Sequence, residues 1–148
     1  MNVHLVGEEI HQDQSANIAV AIATDDGLYP ATVHGAEALS PQDIAARVSE
    51  MAERAASGAL TREDISGGSF PLSNLGMFGV SRFAAIINPP MGAILAFGRA
   101  REQAVAADGA PSVATVVNAT LSRARRVIDG AVGARFLQVL GEEIAALG

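Results

Sequence analysis

The sequence predicts one mixed α/β domain, in which a β-sheet packs against two principal helices. The chain has 148 residues, which is a usual length for one domain. Continuously apolar runs predict buried strands, and two stretches with apolar residues at helical spacing predict the helices. Because 49% of the residues are hydrophobic, a core of useful size is available at this length.

The N-terminal part of the chain predicts extended segments joined by turns. Residues 2–6 are expected to form a short strand, and Gly7-Glu8 a turn. Residues 17–24 are almost continuously apolar, which is typical of a strand buried on both faces, and Asp25-Asp26-Gly27 ends that strand with turn residues. Residues 28–33 continue as another extended segment, which Pro30 places at a sheet edge or a bulge.

The first helix is predicted to begin at Ser40-Pro41, with Ser as N-cap and Pro at the first helical position. Gly58 is expected to end this helix. Thr61 to Asp64 then indicates a capped single turn. One face of the helix is predicted to be apolar and to consist of Ile44, Val48, Met51, Ala52 and Ala55.

The second half of the chain predicts three strands, a short helix and a final helix. The strands are expected at 70–74, 93–97 and 113–122, with a short helix over 81–87 and a hairpin turn at Asp108-Gly109. The final helix starts at Gly130 with Asp129 as N-cap. Its predicted apolar face consists of Val132, Phe136, Leu140, Ile144 and Leu147.

Composition excludes several classes of function. The net charge of −6 argues against nucleic acid or an anionic membrane as a partner. The absence of cysteine excludes disulfides, thiolate metal sites and a thiol nucleophile. No apolar run is long enough to span a bilayer, and the first residues do not resemble a signal peptide, so a cytoplasmic protein is expected. The spacing of His4, His11 and His34 suggests no metal site.

The segment Leu121-Ser-Arg-Ala-Arg-Arg-Val-Ile-Asp-Gly130 is the most informative stretch of the chain. It resembles the Leu-Ser-x-Asp-His-Arg-Val-Ile-Asp-Gly signature of the 2-oxo acid dehydrogenase acyltransferases, the dihydrolipoamide acyltransferases. Residues 126–130 match that signature. Ala124 stands where the family has its first aspartate, and Arg125 stands where the family has its histidine.

Further segments resemble the same family in the same order, so that the resemblance covers nearly the whole chain. It implies one acyltransferase-like core domain over residues 1–148, with a chloramphenicol acetyltransferase-like two-layer sandwich: a mixed sheet with helices on one side. The resemblance also implies a shortened member, without the family's N-terminal elements, lipoyl domain and subunit-binding domain, that assembles as a homotrimer or a multiple of trimers. The segments that carry it are residues 17–28, 39–40, 67–79, 83–90, 93–96 and 121–137.

By resemblance, the site lies between two subunits and acts on CoA and dihydrolipoamide. Ser73 matches the serine that stabilises the oxyanion, Asp129 matches an aspartate that holds the site's geometry, and Arg125 occupies the position of the general base. Ser73, Asn74, Met77 and Phe78 are the expected cofactor-binding residues. The alternatives are turn chemistry for Ser73, a helix cap for Asp129 and interface packing for Met77 and Phe78.

Arginine at the base position predicts a non-catalytic structural or assembly homologue of the acyltransferase core, with no required cofactor. Other subunits of a 2-oxo acid dehydrogenase complex are then the expected partners, as they are for family members that lack the histidine. One alternative is a CoA-dependent acyltransferase that uses a different base. The other is a regulator that binds CoA or acyl-CoA. The three histidines are expected to be surface or partly buried residues rather than a relocated base.

Overall fold

The computed structural model describes residues 1–107 and 109–147, which form nine strands and two α-helices. Two short 3₁₀ turns, Ala36–Ala38 and Gly76–Phe78, complete the regular structure of these residues. The strands are β1 (Val3–Val6), β2 (Glu9–Gln12), β3 (Ile18–Thr24), β4 (Gly27–Val33), β5 (Phe70–Asn74), β6 (Ala93–Phe97), β7 (Arg101–Ala107), β8 (Ala110–Val116) and β9 (Ala119–Arg123), and the helices are α1 (Pro41–Ala56) and α2 (Gly130–Ala146).

The central sheet has five strands in the order β4-β3-β5-β6-β9. β3 pairs parallel with β5, and β5 pairs parallel with β6, whereas the outer pairs β3–β4 and β6–β9 are antiparallel. The strands β1 and β2 form one separate hairpin, and β7 and β8 form another. Pro30 lies on β4, the edge strand, where a missing N–H does not interrupt the sheet, so its predicted position is confirmed.

Both helices cover the same face of this sheet. α1 packs Met51 against Ala31 and Val33 of β4. α2 packs Phe136 against a second cluster that includes Phe70 of β5. The register pairs Ile18 with Val33 and with Phe70, so these residues point to one side of the sheet. The result is the predicted two-layer arrangement, and the opposite face of the sheet carries no helix among the described residues.

The predicted starts of both helices are confirmed. Ser40 Oγ accepts a hydrogen bond from the backbone N–H of Asp43, with Pro41 at the first helical position. The α1 helix ends at Ala56, and Gly58 follows with φ +68°, a conformation that glycine adopts at little cost. Thr61 and Asp64 form the expected capped turn, in which the Asp64 carboxylate accepts from the Thr61 N–H and hydroxyl.

The predicted apolar face of α2 is only partly buried. Phe136 and Leu140 pack against the core, as does Leu137. Val132 is 46% exposed and Leu147 is 78% exposed. α2 packs on β9, which is the last strand of the sheet, so part of the apolar face of the helix lies beyond the sheet.

Residues 81–87 do not form the predicted helix; they are irregular. Their backbone groups bond to neighbouring segments instead of to one another. The carbonyl of Ser81 accepts from the Asn118 side chain, and the carbonyl of Ala85 accepts from the Ser122 hydroxyl. Contacts with distant parts of the chain therefore override the local helical pattern.

The prediction of one long strand over 113–122 is also wrong. The segment divides into β8, which pairs with β7, and β9, which pairs with β6 in the central sheet. Between them, the carbonyl of Asn118 accepts from the N–H of Gly98.

The predicted hairpin turn at Asp108-Gly109 lies partly outside the described residues, since Asp108 is not among them. Gly109 has φ +78°, and the flanking strands β7 and β8 pair as a hairpin.

Candidate functional site

The signature segment forms a tight turn between β9 and α2. The N–H of Ala124 donates to the carbonyl of Gly92 at 2.8 Å. The carbonyl of Ala124 accepts from the N–H groups of Val127 and Ile128, both at 2.9 Å. These three backbone hydrogen bonds hold the turn without using the side chain at position 124, so alanine is compatible with the turn.

Asp129 is the N-cap of α2, as predicted. Its Oδ1 accepts from the backbone N–H of Val132 at 2.9 Å, and its backbone carbonyl accepts from Gly133. An aspartate here satisfies a helix N–H and places negative charge at the positive end of the helix dipole. Within one chain, the capping role therefore accounts for this residue.

Arg123 contributes to the turn in a way that the sequence did not reveal. Its Nη1 donates to the carbonyl of Ile128 at 2.7 Å, and the side chain is half-buried. A Cβ on Gly130 would lie 3.2 Å from Arg123 Nη2, and a Cβ on Gly133 would lie 3.2 Å from Arg123 Cδ. The two glycines thus leave the space that the arginine fills, and their spacing of three residues on α2 is the sequence signal for this contact.

The arginine cluster at 123–126 therefore separates into two kinds of residue. Arg123 is bound to the turn, whereas Arg125 and Arg126 are exposed. Within residues 1–107 and 109–147, neither Arg125 nor Arg126 forms an ion pair. Arg125, which the sequence resemblance predicts to lie at the family's histidine position, is thus a cation that faces solvent.

Ser73 lies near the end of β5, between the two parallel neighbours of that strand. Its Cα pairs with that of Ala96 on β6. At the start of the strand, the Ser69 hydroxyl accepts from the N–H of Asn17, which fastens β5 to β3. Ser73 alternates with core residues and so points to the helix-free face of the sheet. Its hydroxyl takes part in none of the hydrogen bonds among the described residues and is half-buried.

Ser73 and Arg125 lie at opposite ends of the sheet in one chain. Ala96, the partner of Ser73, pairs with Thr120 on β9, while Arg123 pairs with Ala93. The Cα atoms of Ser73 and Arg123 are three residues apart along the strand direction and two strand spacings apart across the sheet. Together these offsets correspond to a distance of roughly 14 Å. Because Arg125 lies two residues further on, the two predicted site residues do not meet within one subunit.

The loop after Ser73 carries the other expected binding residues. The side-chain oxygen of Asn74 accepts from the N–H of Gly76 at 2.8 Å, so this amide holds the loop. Met77 and Phe78 follow in a 3₁₀ turn and are 80% and 64% exposed. A groove of about 360 Å³ lies beside this turn and is lined by Asn74, Gly76, Met77, Phe97, Gly98, Arg99, Ala100 and Val117.

The three histidines lie outside the signature turn. His4 on β1 and His11 on β2 are directly paired, with ring centroids 5.5 Å apart, and His4 Nδ1 lies 2.8 Å from an Asp13 oxygen. His34 follows β4, and its Nε2 lies 3.4 Å from the carbonyl of Glu63. Among the described residues, no three His, Asp or Glu side chains are grouped as they would be around a metal ion.

Perturbed carboxyl groups occur away from the predicted site. Hydrogen bonds from the backbone and hydroxyl of Thr61 lower the pKa of Asp64, and Arg54 contributes to the same effect. Arg54 binds this carboxylate with two hydrogen bonds, at 2.9 and 3.0 Å. The pair connects the end of α1 to the turn before β5 and is a structural feature.

In the part of the chain that the structure describes, neither helix has the length and apolarity to cross a membrane.

A mixed sheet with helices on one face, and a strand-turn-helix unit carrying the Arg-Val-Ile-Asp-Gly sequence, define an acyltransferase-core class of fold. The family model of the 2-oxoacid dehydrogenases acyltransferase (catalytic domain) matches residues 1–147. The chain belongs to this family.

Sequence relatives carry acetyltransferase and related names. The chain is 37% identical over 130 residues to the dihydrolipoyllysine-residue acetyltransferase component of the pyruvate dehydrogenase complex of Rickettsia bellii, covering 88% of this chain and 31% of that protein. It is 41% identical over 143 residues to the mouse pyruvate dehydrogenase protein X component, covering 93% of this chain and 28% of that protein. The chain thus spans about a third or less of the length of these curated relatives.

Solved structures agree over almost the whole chain. A probable dihydrolipoamide acetyltransferase from Listeria monocytogenes matches with a TM-score of 0.94 at 33% identity, covering 99% of this chain and 63% of that one. The cubic core of the pyruvate dehydrogenase multienzyme complex matches with a TM-score of 0.89 at 33% identity, covering 95% of this chain and 59% of that one. The predicted chloramphenicol acetyltransferase-like fold is confirmed.

A third structure concerns catalysis directly. The dihydrolipoamide acetyltransferase of Azotobacter vinelandii matches with a TM-score of 0.92 at 33% identity, covering 99% of this chain and 61% of that one. A serine, a histidine and an asparagine have been studied there for their role in the catalytic mechanism. In that enzyme the serine precedes the histidine by 52 residues, and the asparagine follows the histidine by 4.

Proposed function

We propose that this chain is a non-catalytic member of the family, which supplies structure or subunit contacts to the acyltransferase core of a 2-oxo acid dehydrogenase complex. The observation that carries this proposal is Arg125. Ser73 precedes it by 52 residues, and Asp129 follows it by 4. Both spacings equal those of the serine, histidine and asparagine in the Azotobacter enzyme, which supports the proposal that Arg125 corresponds to that enzyme's histidine.

Arginine does not replace a histidine base. A general base must offer a lone pair to the proton of the attacking thiol, and the guanidinium group of an arginine stays protonated at neutral pH. Loss of a general base typically lowers the rate by about 10²–10⁴-fold. An exposed arginine binds anions well, for example a carboxylate of another subunit or a phosphate of CoA.

The role in assembly is supported by exposed apolar side chains. Ile86 is 91% exposed, Met77 is 80% exposed and Leu147 is 78% exposed. An exposed apolar patch favours burial against another subunit, and Met77 is followed by Phe78, which is 64% exposed. Similarity to the cubic core of the pyruvate dehydrogenase complex supports the same interpretation, and a homotrimer or a multiple of trimers is the proposed assembly. In this proposal, CoA and dihydrolipoamide are substrates of the family but are not required by this chain. A cytoplasmic location stays a prediction.

The direct test is acetyl transfer from acetyl-CoA to dihydrolipoamide by the purified chain, measured by the release of the CoA thiol. A family member that has the histidine, assayed at the same subunit concentration, serves as the positive control. We expect no transfer above background, because no base is available at position 125. Turnover within about tenfold of the control would overturn the proposal and favour an acyltransferase with another base.

A further inference from the structure

The β1–β2 hairpin and the signature turn, residues 124–129, meet at Gly92. The N–H of Gly92 donates to the carbonyl of Val3 in β1 at 3.0 Å. The carbonyl of Gly92 accepts from the N–H of Ala124 at 2.8 Å. One residue thus bonds to the hairpin on one side and to the turn on the other.

Side chains close the same junction. Val3 of the hairpin and Val127 of the turn both pack against the core cluster that contains Ile128. A Cβ on Gly92 would lie 2.7 Å from the carbonyl oxygen of Val3 and 3.0 Å from its Cγ2. The same Cβ would lie 3.3 Å from Val127 Cγ1. The space beside the glycine is therefore filled by one side chain from the hairpin and one from the turn.

The hairpin depends on its docking for stability. β1 and β2 form a two-stranded sheet of their own, and such a hairpin is marginally stable at best in water. The N–H of Leu5 adds a second docking bond, to the carbonyl of Pro90 at 2.8 Å. At the open end of the hairpin, the Asn2 side chain donates to the carbonyls of Asp13 and Ser15. With so few bonds, the hairpin belongs to the parts of a chain that open before the whole domain unfolds.

Opening of the hairpin removes support from the signature turn. The N–H of Gly92 then loses its acceptor in β1, and Val127 loses the side chain of Val3 on the other side of the glycine. Water then reaches the hydrogen bond between Gly92 and Ala124, which joins the turn to the start of β6. The turn is therefore less firmly held whenever the hairpin is open.

We infer that the β1–β2 hairpin and the signature turn open and close as one unit, coupled through Gly92. In the closed state the hairpin fixes the turn, and with it the place from which the exposed side chain of Arg125 extends. A protein that displaces the hairpin moves Arg125 as well. This coupling is a property of the single chain, so it goes beyond the proposed function and does not depend on it.

The test is amide hydrogen exchange of the whole chain, followed residue by residue by NMR. Asn2→Ala removes two hydrogen bonds at the open end of the hairpin and changes no atom of Gly92 or of the turn. Because two hydrogen bonds are lost, we expect the exchange of the Leu5 amide to become at least about fivefold faster. The amides of Ala124 and Val127 should become faster by the same factor, since one opening exposes all three.

Matched controls limit this effect to the coupled unit. Gln14→Ala, at an exposed position after β2, should leave all these rates unchanged. In the Asn2→Ala variant, the amides of Val20 in β3 and Met51 in α1 should keep their wild-type rates, because those elements lie outside the unit.

The coupling is also tested from the side of the turn. Energetic coupling between two segments is reciprocal, so Val127→Ala should accelerate exchange at Leu5, whereas Arg126→Ala, at an exposed neighbouring position, should not. Gly92→Ala should accelerate exchange in both segments together. Gly141→Ala is its control, since a Cβ at Gly141 meets no atom within 4 Å.

Four results would overturn the coupling. The first is faster exchange at Leu5 in Asn2→Ala with unchanged exchange at Ala124 and Val127. The second is an equal acceleration at Val20 and Met51, which indicates a general loss of stability. The third is an unchanged rate at Leu5 in Asn2→Ala, and the fourth is an unchanged rate at Leu5 in Val127→Ala.

Discussion

Replacement of Arg123 with alanine is the perturbation whose effect is best defined by the structure. In the folded chain, Arg123 Nη1 donates to the carbonyl of Ile128, a residue that is only 4% exposed. The stem of the side chain lies against Gly130 and Gly133 at the start of α2. Alanine removes both the hydrogen bond and the packing, and the closely packed turn restricts the access of water to the freed carbonyl.

The magnitude follows from the loss of one partner of a partly buried hydrogen bond. A buried acceptor left without a partner costs about 1–3 kcal/mol, and the middle of this range applies because the carbonyl of Ile128 is neutral and the bond is partly buried. We therefore expect Arg123→Ala to lower the free energy of unfolding by about 2 kcal/mol. For a chain of this length, that corresponds to a decrease in Tm of about 4–8 °C.

The assay is urea unfolding followed by circular dichroism, with the midpoint and slope fitted together at fixed protein concentration. Arg126→Ala is the matched control, since Arg126 is exposed and should change stability by no more than about 0.5 kcal/mol. Gly130→Ala adds a second comparison. When Arg123 is present, the new Cβ of this alanine would lie 3.2 Å from Arg123 Nη2. When Arg123 is also replaced with alanine, this close contact is gone, so Gly130→Ala should lower the free energy of unfolding less.

Equal effects of Arg123→Ala and Arg126→Ala would refute the assignment of Arg123 as the residue that holds the turn. Additive effects of Arg123→Ala and Gly130→Ala would show that the arginine does not occupy the space left by the glycine.

Three further predictions concern assembly, the signature and pH. Light scattering should give the mass of a trimer or a multiple of trimers; a stable monomer at micromolar concentration would contradict this. The double variant Ala124→Asp with Arg125→His should have a much lower rate of acetyl transfer in the thiol assay than a histidine-bearing control. The introduced imidazole must lie where the attacking thiol binds, and an error of about 1 Å in its position lowers the rate around a hundredfold. Full recovery of the rate would show that the histidine alone was missing. Asp64→Asn should lower the free energy of unfolding at neutral pH. The difference in this free energy between the variant and the wild type should become smaller as the pH falls below about 4. The folded-state pKa of Asp64 is held below its ordinary value of 3.8, so its stabilising contribution is present above that value and is lost as the carboxyl is protonated; a difference independent of pH in urea titrations would argue against this.

Local chemistry was sufficient to predict much of this protein from its sequence. The Ser40-Pro41 start of α1 and the Asp129 cap of α2 were predicted because a capping side chain bonds to a backbone N–H only three residues away. The position of β3 was predicted because a continuous apolar run indicates a strand, but the expected burial on both faces is wrong within this chain, since only Ala19 of the seven residues is buried. Membership of the family was also predictable, since a motif is a property of the order of residues.

Only the tertiary structure decided what depends on distant partners. Residues 81–87 have a helical pattern, but bonds to Asn118 and Ser122 hold them in an irregular path. The strand predicted over 113–122 divides because its two ends pair with different strands. The distance between Ser73 and Arg125 follows from strand order and register, and the contact of Arg123 with Ile128 follows from the path of one turn. The sequence does not show these features directly, because the hydrogen-bond partners are chosen only when the turn and the sheet assemble.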